Sequence, residues 1–417
     1  MSNWQDTHPM GTVIGDPLPG APALAARGGY ATGVRTFTLV HPGQADVLAG
    51  LKGGRYPRYD RPLTIEAWYP AAPDGDSARA EYREVMGRSD WGNVDPFTFP
   101  GRAFRDARPD PAGGPWPVIV VSHGYPGSRM LLSNLSENLS GKGYVVLNIG
   151  HTDNTYEDFP LEGSLESGLI HRSLDQRFVI DQLPALNGAG WLKGMLDVER
   201  IGLMGFSLGG YGALRTLGAR PGSEMLGRFA AIADELAEAP DYSGVKAVKA
   251  AVLFAPATFF LDESALDAVT QPTLWVCGTA DRAVFYDRVH AFCEKAIRSE
   301  RRFLSFENCG HNVANNPAPA CAQSRDWTIA KRWADPVWDT WRLNNANCHF
   351  ATAFFDLYLK GIGARREYLD VPVRRGIEAV WPVDAQGRPN PDHTYWPGFV
   401  EGGAAGLAME RFEPEGT

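Results

Sequence analysis

A serine set between two glycines, Gly205-Phe-Ser207-Leu-Gly209, lies near the middle of the chain. The apolar residues 201–204 before it read as the end of a buried strand, and residues 211–217 after it read as a helix. In that setting the spacing predicts a tight strand-to-helix turn that pushes the serine out at the sheet edge. The small flanking residues let the backbone pass close to its neighbours. The helix start adds backbone N–H groups beside the hydroxyl, where an oxyanion would need them. The chemistry this suits is nucleophilic attack on an acyl carbon. The competing reading is a tight turn whose serine is inert.

A serine hydroxyl needs a base to take its proton, and the base needs an acid to orient it. In an open α/β sheet the expected chain order is serine, acid, histidine. Asp281 follows the apolar run 273–277, and His311 follows the run 303–306 in Asn308-Cys-Gly-His311. Both stand just past strand carboxyl ends, where the sites of such sheets assemble. Asp281 could also cap a helix expected at 283–297. Asp262, after the strand ending at residue 254, is the rival acid. His311 could be a loop histidine that only packs. Of the nine histidines, His290 and His349 fall in helix-like stretches and His8, His41 and His393 in peripheral ones.

His123-Gly-Tyr125-Pro-Gly127 follows the run 118–122. It matches the loop that supplies a second oxyanion donor in such sheets, so the expected donors are the backbone N–H groups of Tyr125 and Leu208. A plain Gly/Pro turn is the other reading. His123 reads as structural rather than as a base or ligand. No His/Cys/Asp group has metal-site spacing, so neither a metal nor a cofactor is expected.

The elements that must position these residues are visible as runs. Residues 118–122, 144–149, 201–206, 250–254, 273–277 and 303–306 are close to continuously apolar, as strands covered on both faces are. Helix-like segments at 129–141, 172–183 and 283–297 separate them. The alternation predicts an α/β protein with a doubly wound, mostly parallel sheet. Residues 34–41 and 62–69 alternate as further strands, with 51–61 a turn region between them, 85–115 loop-like, and 303–306 the last strand. The expected organisation is an N-terminal arm at 1–30 and a main domain at 31–365. A candidate cap insertion lies at 222–246, and a C-terminal extension at 366–417 packs on the same domain.

The 417 residues are 44% hydrophobic and 21% charged, enough for a sizeable core without staples. A net charge of −9 without a basic, aromatic-interleaved run argues against a nucleic-acid partner. No apolar run is long enough to span a membrane. The first ten residues lack a basic and an apolar region, so no secretory signal is expected. Five cysteines without regular spacing fit a reducing, cytoplasmic setting, although a Cys309–Cys321 bridge is conceivable. Trp327, Trp333, Trp338 and Trp341 follow His311, and Phe259 and Phe260 follow the strand at 250–254. Phe259, Phe260, Trp327 and Trp333 are the candidates for an apolar substrate pocket; packing against the sheet is the other reading.

The runs Val121-Ser-His-Gly-Tyr-Pro-Gly-Ser-Arg129, Lys142-Gly-Tyr-Val-Val and Gly150-His-Thr-Asp153 lead to Arg172-Ser-Leu-Asp-Gln-Arg-Phe-Val-Ile-Asp-Gln-Leu183 and Gly205-Phe-Ser-Leu-Gly-Gly210. Together they resemble the α/β-hydrolase superfamily over roughly residues 30–365. Within it the likeness is to dienelactone-hydrolase-like proteins, neighbours of platelet-activating-factor acetylhydrolases and bacterial cutinase-like polyesterases. The resemblance implies ester hydrolysis through an acyl-enzyme, a Ser207–Asp281–His311 triad and a small-molecule ester substrate. True dienelactone hydrolases use a cysteine nucleophile; position 207 is serine, so lactone specificity is not implied. An acyltransferase using the same triad, or a binding protein that kept the fold without catalysis, are the alternatives.

Overall fold

The computed structural model describes residues 13–85, 87, 96–233, 243–318 and 327–415. Its strands are β1 (Thr32–Ala45), β2 (Arg58–Pro70), β3 (Arg79–Val85), β4 (Pro96–Arg105), β5 (Trp116–Ser122) and β6 (Val145–Gly150). Then come β7 (Leu196–Phe206), β8 (Val248–Phe254), β9 (Thr273–Gly278), β10 (Arg301–Phe306) and β11 (Leu407–Phe412). The helices are α1 (Val47–Gly53), α2 (Ser133–Ser140), α3 (Ser164–Gly188), α4 (Leu208–Thr216) and α5 (Ser223–Arg228). They continue with α6 (Tyr286–Lys295), α7 (Trp327–Ala330) and α8 (Thr340–Leu359).

All strands join one sheet in the order β11-β10-β9-β8-β7-β5-β6-β2-β1-β4-β3. The stretch from β6 to β10 is parallel throughout. Its strands are the apolar runs of the sequence, and every residue of β5, β6, β9 and β10 is buried. That follows from helices on both faces: such a strand has no side on which to place a polar residue. β1 alternates half-buried and exposed positions in its middle, as a strand with one wetter face does. Parallel register aligns the carboxyl ends. Ser122 lies opposite Gly205, Phe206 opposite Phe254 and Phe306 opposite Gly278. The loops after β5, β7, β9 and β10 therefore emerge along one rim.

The fold departs from the sequence pattern in several places. Residues 85–115 are not all loop, because β4 pairs antiparallel with β3. Residues 51–61 hold the end of α1, whose start is capped by Asp46 accepting from Ala49 N, and the beginning of β2. The helix at 129–141 is the shorter α2, and the one at 172–183 is the much longer α3. β10 is not the last strand: β11, from the C-terminal extension, pairs antiparallel along its full length. Of the candidate cap at 222–246, α5 and short turns at Ala230–Ile232 and Ser243–Ala247 are seen; residues 234–242 lie outside the described ones. The described part of the N-terminal arm is pinned to the body. Ala23 N donates to Gly398 O at 2.7 Å and Leu18 N to Asn345 of α8 at 2.8 Å.

Candidate active site

Ser207 stands between β7 and α4 with φ 54° and ψ −115°. A non-glycine residue is strained at positive φ, and the strain is sustained only by surroundings that over-determine it. The surroundings are close. A side chain at Gly205 would come 2.4 Å from Gly209 O, and one at Gly209 would come 2.2 Å from Ser122 O. Ser207 N donates to Phe254 O of the next strand at 2.8 Å. The two glycines thus let a turn too tight for any Cβ sit between β5 and β8, as their spacing around the serine predicts.

His311 Nε2 lies 3.1 Å from Ser207 Oγ, and His311 Nδ1 lies 2.7 Å from Asp281 Oδ2. Asp281 is buried; the His311 side chain is about a quarter exposed. Asp281 does not cap the helix expected at 283–297, because α6 begins at Tyr286 and Phe285 stands at its N-cap, yet both of its oxygens are engaged. While Oδ2 faces the imidazole, Oδ1 accepts from Ala283 N at 2.8 Å and Val284 N at 3.1 Å, fixing the turn before α6. Burial works to raise its pKa, yet the hydrogen bond and charge of His311, with the two backbone donors, outweigh it and hold the carboxyl below its ordinary value. With the carboxylate against Nδ1, the tautomer that satisfies both contacts carries its proton on Nδ1 and turns Nε2 toward Ser207 Oγ as an acceptor. The rival Asp262 accepts from Ser223 N at 3.1 Å, at the start of α5.

The 123–127 loop runs against the serine. A Cβ on Gly124 would lie 2.8 Å from the Phe206 ring and 3.4 Å from Ser207 Cβ, so the backbone leading to Tyr125 passes beside Ser207. Leu208 opens α4, where a first-turn N–H has no partner within the helix.

Beneath this rim lies a buried polar layer that motif reading does not find. Arg61, Asp175, His151, His123, Gln176 and Arg172 are all inaccessible. Arg61 Nε donates to Asp175 Oδ1 at 3.1 Å, and His151 Nδ1 donates to Asp175 Oδ2 at 2.8 Å. Ser122 Oγ links His151 Nε2 at 3.0 Å to Gln176 Nε2 at 2.8 Å. Burial first, then the nearby Arg172 charge, pushes the His151 pKa down to about 3 and that of His123 well below the usual imidazole value. Both rings are neutral. A signal is present in the sequence, since Gly150-His-Thr-Asp153 and Arg172–Leu183 stand out as runs, but partners this far apart cannot be paired from one chain.

A cavity of about 480 Å³ opens over Ser207 and His311. Tyr125, Leu131, Tyr156 and Trp327 give it apolar lining; Arg282 and Lys331 give it positive charge. Of the four expected pocket residues only Trp327 lines it. Phe260 instead packs on Tyr211 of α4, behind the serine, and Phe259 stacks beside it with 42% of its surface exposed. Trp333 is buried between Phe97 and Tyr156 and reaches the cavity only through the latter. A larger groove of about 880 Å³ runs along Arg35, Arg105, Arg108 and Trp191, and none of the residues around Ser207 borders it.

Among the described residues, no group of three or more His, Cys, Asp or Glu side chains is placed to hold a metal ion. No helix among them is long and apolar enough to cross a membrane. Cys309 is a buried free thiol; its conceivable partner Cys321 lies outside the described residues.

The chain superposes on a ferulic acid esterase from Streptomyces cinnamoneus with a TM-score of 0.54 and 21% sequence identity, covering 84% of this chain and 94% of that one. The chain has the α/β-hydrolase fold. Residues 100–157 match the family described as platelet-activating factor acetylhydrolase, isoform II. That span holds β5, the 123–127 loop and β6, and so takes in the first three of the runs on which the resemblance seen in the sequence rests. No curated protein gives a significant sequence match.

Proposed function

We propose that this α/β-hydrolase is a serine carboxylic-ester hydrolase acting through an acyl-enzyme on a small or medium-sized ester. The observation that carries the reading is the Ser207–His311–Asp281 line, with contacts of 3.1 and 2.7 Å, in the chain order such sheets require. The esterase title of the structural neighbour and the acetylhydrolase family matched at 100–157 support it. The 480 Å³ cavity is of a size that admits a small molecule.

In this reading Ser207 Oγ attacks the ester carbonyl as His311 Nε2 takes its proton. Charge develops on the carbonyl oxygen, held by the N–H groups of Tyr125 and Leu208. His311 returns the proton to the departing alcohol, leaving an acyl group on Ser207. Water, deprotonated by the same imidazole, then releases the acid. Asp281 stays ionised throughout, fixing the tautomer and balancing the imidazolium. A cytoplasmic setting belongs to the proposal, supported by four buried free thiols at Cys277, Cys293, Cys309 and Cys348; fractionation of the source cells tests it.

The test is labelling by a fluorophosphonate probe, followed by peptide mapping. Modification of Ser207, together with loss of p-nitrophenyl acetate hydrolysis by roughly 10⁶-fold in Ser207→Ala, is the expected result. Wild-type hydrolysis in the alanine variant would sink the proposal. Adding an alcohol separates the two enzyme readings: a hydrolase releases mainly acid, and an acyltransferase diverts most product to the new ester.

A further inference from the structure

Arg172 is completely buried, yet among the described residues none of its hydrogen bonds goes to a carboxylate. A buried guanidinium ordinarily sits against an acid, because its desolvation is otherwise uncompensated. Here the fork is directed at backbone and amide oxygens. Nη1 donates to His123 O and Nη2 to Gly124 O at 3.0 Å. Nε and Nη2 reach Asn154 Oδ1 at 3.2 and 3.1 Å. Asn154 is tied in turn to Ser164 O at 2.6 Å, and its own carbonyl accepts from Gly127 N at 3.2 Å. Both ends of the 123–127 loop are therefore held by one cation and one amide.

The arrangement is built, not incidental. Gly168, one turn before Arg172 on α3, is where a Cβ would lie 2.2 Å from Asn154 Oδ1, so the helix comes in close enough for the fork to reach. Burial lowers the Arg172 pKa to about 9, which still leaves the group charged at neutral pH. The Gly124 carbonyl is met twice, because His123 Nδ1 also lies 2.7 Å from it.

That carbonyl belongs to the same peptide unit as the N–H of Tyr125. Donation to the oxygen end of an amide draws density from its nitrogen and strengthens the N–H as a donor. We propose that Arg172 is a positioning residue of the oxyanion hole, which fixes the plane of the Gly124–Tyr125 peptide and polarises it so that the Tyr125 N–H binds developing negative charge more strongly. The inference rests on the proposed function, since it needs an oxyanion at that place. The interaction is worth most when the charge is present, so it lowers the barrier without tightening the ground-state complex.

The experiment compares Arg172→Met, Arg172→Lys and Asn154→Ala with the wild type, each checked for folding by circular dichroism. Three quantities are read: kcat and KM for p-nitrophenyl acetate, affinity for a trifluoromethyl ketone that adds to Ser207 as an oxyanion, and affinity for the matching secondary alcohol. Losing one oxyanion donor costs about 10²–10³ in kcat. Arg172→Met is expected to lose about 10²-fold in kcat with KM within about threefold, and its ketone affinity should fall in parallel while alcohol affinity holds. Arg172→Lys keeps the charge without the fork and should lose about tenfold. A folded Arg172→Met with near-normal kcat overturns the inference. So does a kcat loss unaccompanied by weaker ketone binding, which is what a merely structural role would give. If neither Arg172 variant folds, Asn154→Ala decides: parallel three- to tenfold losses in kcat and ketone affinity support the role, and unchanged values overturn it. Failure of the esterase reading would show separately, as full activity in Ser207→Ala.

Discussion

The two sides of the cavity are built on opposite principles. Below Ser207 the molecule is buried and polar: Arg61, Asp175, His151, Ser122, Gln176 and Arg172 hydrogen-bond with one another, with their neighbours and with the 123–127 loop. Beyond His311 it is accessible, and Trp327 keeps about half of its surface exposed while Arg282 and Lys331 reach outward. The buried side leaves the reacting groups one arrangement, because any shift orphans a polar atom in a dry interior. The accessible side carries no such penalty, so its side chains can change with little cost to the fold. Under the proposed function the floor sets the reaction chemistry and the wall sets substrate choice.

After Ser207 itself, the largest effect should come where the floor meets the His311 imidazole. Asp281→Asn keeps shape and removes the charge that sets the tautomer, and a loss of about 10⁴-fold in kcat is expected. Asp262→Asn serves as the control and should stay within about threefold, since Asp262 binds Ser223 N, away from the imidazole. Steady-state kinetics of the pair would move the acid to Asp262 if the ranking were reversed.

Next is the floor itself. Asp175→Ala removes the buried carboxylate partner of Arg61, leaving that wholly buried guanidinium with Asp153 at 3.1 Å as its remaining acid, and removes the acceptor of His151. Breaking a buried pair by deleting one partner costs about 3–5 kcal/mol. Denaturant unfolding should show a free energy of unfolding lowered by that amount, seen as a lower midpoint at unchanged slope; a loss no larger than that of a surface substitution would mean that the layer is not structural.

Acid should attack the same layer. His123 and His151 of that layer, and the buried His171 and His349 outside it, all have pKa values below the ordinary imidazole value, the last three at about 3, with burial the leading cause. A folded-state pKa below the unfolded one means stability that is intact above pH ~6.5 and is lost as pH falls from there, because only the unfolded chain takes the protons. Each ring should cost roughly 1 kcal/mol by pH 5.5. Buried Glu84, pushed up to about 7, acts in the opposite sense over the same range. Unfolding of Glu84→Gln at pH 7.5 and 5.5 therefore isolates the histidines, and equal stability at the two values would refute the sign.

The smallest effect is expected at the wall. Trp327→Ala should change KM by less than about tenfold and leave kcat within about threefold, with the change depending on the ester tested. A collapse of kcat for every ester would give the wall a part in the chemistry and erase the contrast.

The same contrast explains which residues are legible in the sequence. Ser207, Asp281 and His311 stand out because each is tied to a strand end, and strands covered on both faces announce themselves as unbroken apolar runs. Gly205 and Gly209 stand out because close approach admits only glycine. The pairing of Arg61 with Asp175 does not, since two charged residues in separate segments look like any two surface residues until the fold buries them. β4 is hidden by Pro96, Pro100 and Gly101, which read as loop residues yet are tolerated toward a sheet edge; Gly101 is needed there, 2.5 Å from the Tyr82 ring for any added Cβ. The positions of Phe259, Phe260 and Trp333 show the limit from the other side. An aromatic near a site in sequence can face either the cavity or the core, and only the path of the chain decides which.

β10, whose carboxyl end leads to His311, obtains its outer neighbour from residues 407–412. During synthesis a ribosome must deliver all of residues 307–406 before that neighbour exists. Throughout this interval β10 offers an unpaired row of backbone donors and acceptors to any other nascent chain. The antiparallel strand at the sheet margin is thus a timing device: the histidine's own strand is the last of the parallel set to be closed off, and a chain cut short before residue 407 carries an adhesive edge in its place.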